Sequence, residues 1–293
     1  SDLMFVRGVY GVKPQLPQSP GFEGVGIVEA SGGGLRGKLF RGKRVAVLNR
    51  AGGNWSEYAV VPAAQVIPLS NQLSVEQAAT FFVNPATAWI MTQEVLKVSR
   101  GEWLLQTASG SSLGTMVARL GHSLGFKTLN IVRNEASVAG LKAAGATEVV
   151  VFDPAKDSAD RLLSAIHGIV GGHGVRYAID PVGGATGSAV IRALGHKGRM
   201  LVFGTLSEQP LQYSPRTLMT RQATVEGFWL GNFMNDRNLL FKLKLVQRIT
   251  RLILDGALST TIDDTFSLNQ IGQAVTRAEE NARNGKVLLR IGD

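Results

Sequence analysis

The chain has 293 residues, 44% of them hydrophobic and 18% charged, with a formal net charge of +9. That length predicts about two domains, and no apolar run approaches the roughly 18 residues that would span a bilayer. The absence of cysteine excludes disulfides, thiolate metal sites and cysteine nucleophiles, while the positive balance favours an anionic partner: a phosphate-bearing cofactor, a phosphorylated carrier or nucleic acid.

The opening Ser1-Asp2-Leu3-Met4 has no basic stretch leading into an apolar one, so no secretory signal is read there. It reads as the interior of a fold, with residues expected upstream. The cytoplasm, or an organelle, is the expected setting. Residues 1–84 are rich in Gly and Pro. Short β-type runs at 25–29, 44–48, 57–61 and 65–68 are separated by turn signals at Gly32-Gly33-Gly34 and Gly52-Gly53, which predicts a small, mostly β domain of barrel or sandwich type.

The pattern changes near Ser74. SVEQAATFFVNPATAWIMTQEVLKV carries a helical period interrupted at Pro85. Ser74 with Gln77 three residues on predicts a capping box. From Trp103 the chain alternates. Strands are expected at 103–107, 128–132, 148–152, 175–180 and 199–203, and helices at 113–124, 136–143, 158–167 and 186–194. This rhythm predicts an α/β fold, a Rossmann doubly wound parallel sheet with helices on both faces. A further strand is expected at 224–230, a long helix from about 237 to 254, and a closing strand at 287–291 that returns to the first domain. The expected domains are therefore 1–84 plus about 255–293, and 85–254.

QTASGSSLGT, from Gln106 to Thr115, leaves an apolar strand, places small residues in a row, and enters a helix. A helix N-terminus offers unpaired N–H groups and a positive dipole end to a pyrophosphate, and small residues let it approach. This predicts cofactor contacts from Ser109, Gly110, Ser111, Ser112, Leu113 and Gly114. The spacing is not a regular G-x-G-x-x-G. The second strand ends in Arg133 and Asn134, where an NAD site usually has an acid. An arginine there can pair with a 2′-phosphate, which favours NADP(H). Turns after the later strands, at Val182, Gly183 and Gly204-Thr205, are expected to border the cofactor, because ligands lie beyond the carboxyl ends of such strands.

With those motifs in hand, the chain resembles the zinc-free branch of the medium-chain dehydrogenase/reductase superfamily along nearly its whole length. The resemblance is carried by PGFEGVGIV (20–28), GGNWSEYAVVP (52–62), VNPATAW (83–89), ASGSSLG (108–114), GLKAAGATEVV (140–150), IDPVGG (179–184) and RMLVFG (199–204). Zinc-dependent members typically carry Gly-His-Glu where this chain has Gly21-Phe22-Glu23, and they need a cysteine ligand, so no metal is expected. The resemblance implies a GroES-like catalytic domain beside the Rossmann domain, with the cofactor in the cleft between them. Two subfamilies are similar: 2-enoyl thioester reductases and NADPH:quinone reductases. RGVYGVKPQLP (7–17) is similar to the segment that holds the first group's catalytic tyrosine, which puts that role on Tyr10. VNPATAW implies cofactor contacts from Asn84 and Thr87. GFWL (227–230) is similar to a strand ending in a pocket tryptophan, which implies Phe228 at the cofactor and Trp229 at cofactor and substrate.

The implied activity is NADPH-dependent reduction of an activated C=C, such as that of an enoyl-CoA or an enoyl-carrier protein. Quinone reduction is the alternative, and a non-catalytic NADPH-binding module is a reading from another class. A homodimer paired at the last Rossmann strand is implied by relatives. His122, His167, His173 and His196 lack metal-ligand spacing and read as surface or helix residues. The basic groups Lys242, Lys244, Arg248 and Arg251, and Arg36, Lys38, Arg41, Lys43 and Arg44, read as solvated faces. Neither has interleaved aromatics, so no nucleic-acid partner is expected, and no membrane partner.

Overall fold

The computed structural model describes residues 1–49, 52–280 and 284–292. The chain divides into two compact units, one formed by Ser1–Asn84 and Val246–Asp293, the other by Pro85–Leu245.

In the first unit, α1 (Asp2–Val6) carries Asp2 in its first turn, where an acid suits the dipole, and buries Phe5. The strand β1 (Glu23–Ile27), the short helix α2 (Leu35–Phe40), and the strands β2 (Arg44–Leu48) and β3 (Val66–Pro68) follow. The strands form an antiparallel sheet in the order β1-β2-β3, with Val45 and Ala46 of β2 buried. The strand expected at 57–61 is not formed. Tyr58 and Val60 stand exposed, and the segment pairs with no described strand. An alternating pattern becomes a strand only where a partner satisfies its backbone.

Ser74 caps α3 (Val75–Ala79), its Oγ accepting from the Gln77 N–H at 3.2 Å. The capping box is only half made. The Gln77 side chain turns to Thr260 instead, donating to its carbonyl at 2.8 Å and accepting from its N–H at 2.9 Å. A tertiary partner outcompetes the local one. The helical break falls at 80–82 rather than at Pro85. Pro85 lies in the first turn of α4 (Val83–Trp89), where a missing N–H costs nothing. A π-helical turn, Ile90–Val95, follows.

The second unit runs β4 (Trp103–Gln106), α5 (Ser112–Leu124), β5 (Lys127–Val132), α6 (Val138–Ala143), β6 (Glu148–Val151), α7 (Ala159–Val170), β7 (Val175–Asp180), α8 (Gly184–Ala193), β8 (Leu194–Val202), α9 (Pro215–Arg221), β9 (Thr224–Gly227), α10 (Leu230–Asn235) and α11 (Leu239–Leu254). Its strands form one parallel sheet in the order β6-β5-β4-β7-β8-β9. The order reverses between β4 and β7, and that switch point is where an open sheet leaves a crevice for a ligand. Leu105, Leu129, Ile131, Ile166, Val190 and Met200 pack in its core. The strand expected at 224–230 ends at Gly227, opposite Val202. One more bond, from the Phe228 N–H to the Val202 carbonyl at 2.8 Å, closes the ladder, and Trp229 starts α10.

The boundary after Leu245 divides α11 between the units. The chain ends in the first unit with β10 (Ile262–Ser267), α12 (Ile271–Glu279) and β11 (Lys286–Arg290), β10 and β11 pairing in parallel. Of these, only the last strand is expected from sequence. No helix among the described residues is long and apolar enough to cross a membrane.

Candidate functional site

The cofactor residues expected in the second unit, Thr87 of α4 apart, lie just past the carboxyl ends of its strands. β4 gives way to Ala108, whose φ of 49° is left-handed and strained for a residue with a Cβ. Ser109 is buried, and its N–H donates to the Ile131 carbonyl of β5 at 3.1 Å. Gly110 and Ser111 are exposed. Ser111 is the N-cap of α5, its Oγ accepting from the Gly114 N–H at 3.1 Å. Gly114 lies so close to the strand end that a Cβ there would sit 2.4 Å from the Ser109 carbonyl oxygen. Leu113 is buried beneath the turn. Ser112, in the first helical position, has a hydroxyl shielded from solvent without a hydrogen-bond partner. Exposed small residues, first-turn N–H groups and an orphaned hydroxyl fit a pyrophosphate.

Arg133 stands exposed just past β5. The turn that follows it reaches the small-residue loop, since a Cβ on Gly110 would lie 2.8 Å from Ser137 Oγ. The end of β5 and the loop after β4 are therefore neighbours, as a dinucleotide's ribose and pyrophosphate would need.

Sequence reasoning missed the group that holds the switch point. Asp180, at the end of β7, is fully buried. Its Oδ1 accepts from the Thr107 hydroxyl and from the Val182 N–H at 3.1 Å, and its Oδ2 accepts from the Gly183 N–H at 2.9 Å. Burial pushes the carboxyl up from its ordinary value, and these hydrogen bonds hold it back. Asp180 thus ties the end of β4 to the Val182-Gly183 turn. Gly204 packs against Pro181, where a Cβ would meet the Pro181 carbonyl oxygen at 2.9 Å. Phe228 is buried and Trp229 about half exposed. Thr87 is buried in α4. A polar residue closing an apolar run was the available signal for Asp180.

In the first unit, Tyr10 is half-buried, its ring 5.3 Å from that of Phe22, which in turn meets Phe5 edge-on at 4.9 Å. Phe22 therefore makes an aromatic packing contact where a zinc-dependent relative would present an imidazole. Burial raises the Tyr10 phenol above its ordinary value, and the negative charge of Asp2 raises it further. The phenol is thus held as a neutral donor. Asn84 lies half-buried in the first turn of α4. Glu23 Oε1 accepts from the N–H groups of Phe82 at 2.5 Å and Val83 at 2.8 Å, which anchors the start of α4 on β1.

Burial raises the Glu23 carboxyl, while the Lys286 charge and those two N–H groups oppose the rise. A carboxyl raised in the folded state binds its proton more tightly there than in the unfolded chain. Stability therefore falls as pH climbs from the ordinary glutamate range through the folded value. Glu23→Gln is expected to flatten part of that decline, Asp180 supplying the rest with the same sign. Urea midpoints between about pH 5 and pH 8 measure it, and an unchanged slope would remove Glu23 as the cause.

Among the described residues no cluster of three His, Cys, Asp or Glu side chains could hold a metal ion. His122, His173 and His196 are exposed. His167 is half-buried in α7, its Nε2 shielded from solvent and without a hydrogen-bond partner.

Residues 112–244 match the family described as Zinc-binding dehydrogenase, and residues 1–71 match the Alcohol dehydrogenase GroES-like domain. Among curated proteins, an Enoyl-[acyl-carrier-protein] reductase, mitochondrial, of Caenorhabditis elegans is 32% identical over 80% of this chain and 66% of its own. One of the same name from Dictyostelium discoideum is 26% identical over 99% of this chain and 82% of its own. Among solved structures, a protein of Bacillus thuringiensis assigned as an NADPH:quinone reductase superposes with a TM-score of 0.87 at 29% identity, covering 98% of this chain and 85% of its own.

Proposed function

The chain belongs to the medium-chain dehydrogenase/reductase superfamily, and we propose that within it the protein is an NADPH-dependent oxidoreductase that reduces an activated C=C, such as that of a 2-enoyl thioester. The observation that carries this reading is the α5 turn, with Gly114 laid bare against Ser109, an orphaned Ser112 hydroxyl and Arg133 at the neighbouring strand end. Asn84, Thr87, Val182, Gly183, Gly204, Phe228 and Trp229 complete the proposed cofactor contacts. Enoyl reductases among the curated relatives support the thioester as substrate.

Bound NADPH would supply the hydride. The chain's own part is electrostatic. As the β-carbon accepts hydride, negative charge builds on the thioester oxygen. A protonated Tyr10 phenol would donate a hydrogen bond to that oxygen or pass its proton to the α-carbon. No metal is needed for this step, because the conjugated carbonyl is itself the electron sink.

The test follows NADPH absorbance with crotonyl-CoA, a longer enoyl-CoA and a quinone in parallel. Turnover of the enoyl-CoA supports the reading. Turnover of quinone alone would replace it with quinone reduction, the reading favoured by the Bacillus thuringiensis neighbour. NADPH binding without turnover of either would leave a binding module. Arg133→Ala is expected to weaken NADPH about 10- to 100-fold, the value of one or two charge-assisted hydrogen bonds, and to leave NADH unchanged. Equal weakening of both would remove Arg133 from the 2′-phosphate. The same reading carries a homodimer, testable by light scattering, and an aqueous compartment, either the cytoplasm or an organelle such as its mitochondrial relatives occupy.

A further inference from the structure

Two amides are buried inside the second unit's sheet, among mostly aliphatic side chains. Gln106 closes β4 at 1% exposure, and Asn130, its partner in the β4–β5 register, is fully buried. Gln106 Nε2 donates to Asn130 Oδ1 at 2.6 Å and to the Gly114 carbonyl at 2.9 Å. Asn130 Nδ2 donates to the Glu148 carbonyl at 2.8 Å and to Thr128 Oγ1 at 3.0 Å. The two backbone carbonyls can only accept, so they settle which way each amide faces.

Burying an amide costs free energy that its hydrogen bonds must offset, whereas burial of an aliphatic side chain is favourable in itself. Leu105, Leu129 and Ile131 fill adjacent positions of the same strands at no such cost. What the amides add is a fixed link from β6 through β5 and β4 to the first turn of α5. Gly114 is then held three ways: by its bare Cα against Ser109, by its N–H to Ser111 Oγ, and by its carbonyl to Gln106. The first two bind the turn to its own loop. The third bonds it directly to a strand side chain.

We infer that Gln106 is a positioning residue: its amide, oriented by Asn130, sets where the Ser111–Gly114 turn stands and so where the Ser112 and Leu113 N–H groups would meet a pyrophosphate. The inference rests on the reading of that turn as the cofactor site.

The test uses Gln106→Met, which keeps the length of the side chain and removes the amide, and the double variant Gln106→Met with Asn130→Leu. Replacing both partners by apolar groups leaves neither amide orphaned by the other, so that only the donors to the Gly114 and Glu148 carbonyls and to Thr128 Oγ1 are lost and part of the stability can return. In Gln106→Met, Kd and KM for NADPH are expected to rise about 10-fold with KM for the electron acceptor unchanged. In the double variant Tm is expected to return towards the parent's while NADPH binding stays weak. Recovery of binding together with Tm would overturn the inference, as would unchanged binding in Gln106→Met or loss of fold in both variants, each leaving the pair a core feature only. A parent that binds no NADP(H) would overturn the cofactor reading itself, and the inference with it.

Discussion

Gly114→Ala is expected to cost the protein both stability and its nucleotide. The added methyl would stand 2.4 Å from the Ser109 carbonyl oxygen and 2.6 Å from its Cα. Both are backbone atoms in a buried residue, so neither can swing aside. α5 must lift from the strand end by roughly an ångström, and overpacking of this kind costs about 1–3 kcal/mol. At about 2–4 °C per kcal/mol the melting temperature falls by several degrees. The greater effect is on binding. An ångström of misplacement in a preorganised site is worth on the order of 100-fold, so NADPH affinity is expected to fall at least about 10-fold even where the variant is fully folded. Gly140, in α6, is the control, since a Cβ there meets nothing within 4 Å. Gly140→Ala is expected to raise stability by about 0.5–1 kcal/mol. An alanine at 114 that melts and binds like the parent would show that the helix does not rest on Ser109.

Tyr10→Phe is expected to lower kcat/KM for an enoyl-CoA about 100-fold, within the range for loss of one positioned donor. Only the hydroxyl is removed, and the ring keeps its contact with Phe22. The variant is therefore expected to fold, with NADPH affinity unchanged. Because burial and Asp2 raise the phenol above its ordinary value, the donor stays protonated through neutral pH. Its loss by ionisation is expected only on the alkaline side of the tyrosine range, and that limb of the pH profile should vanish in the variant. Quinone turnover, if present, is expected to be untouched. An enoyl-CoA rate within about twofold of the parent's would take Tyr10 out of the chemistry.

The second unit's sheet was largely legible from sequence for one reason. Strands buried on both faces appear as short apolar runs, and helices between them keep a 3.6-residue period. Val175–Asp180 and Ser112–Leu124 are of this kind, within a residue of the expected bounds. The turn from Ser109 into α5 was legible too, because a row of mostly small residues interrupts the pattern between an apolar strand and a helix. The first unit was harder. Residues 57–61 alternate as well as Arg44–Leu48 do, yet only the latter finds partners. Short strands are specified by what they pair with, and the pairing is non-local. The supporting residues of the site were hardly legible: Asp180 gives only the signal of a polar residue closing an apolar run, and none of them reveals its partner. Gln106, Thr107, Asn130 and Asp180 differ from surface residues only in being buried with partners at separations of 8, 73 and 24 residues.

By itself the sequence determined the parallel α/β architecture, the turn suited to a pyrophosphate, a cation where an NAD site would carry an acid, and a cysteine-free chain with phenylalanine in place of a metal-binding histidine. Each is a local matter of residue type and spacing, set by backbone geometry within a few positions. Tertiary structure alone decided that Gln77 would bond Thr260 instead of completing its cap, that β9 would end at Gly227, that Asp180 would lock the switch point, and that a buried amide pair would brace α5. These outcomes turn on which distant backbone group reaches a polar atom once water is excluded, and that competition is settled only when the chain has closed on itself.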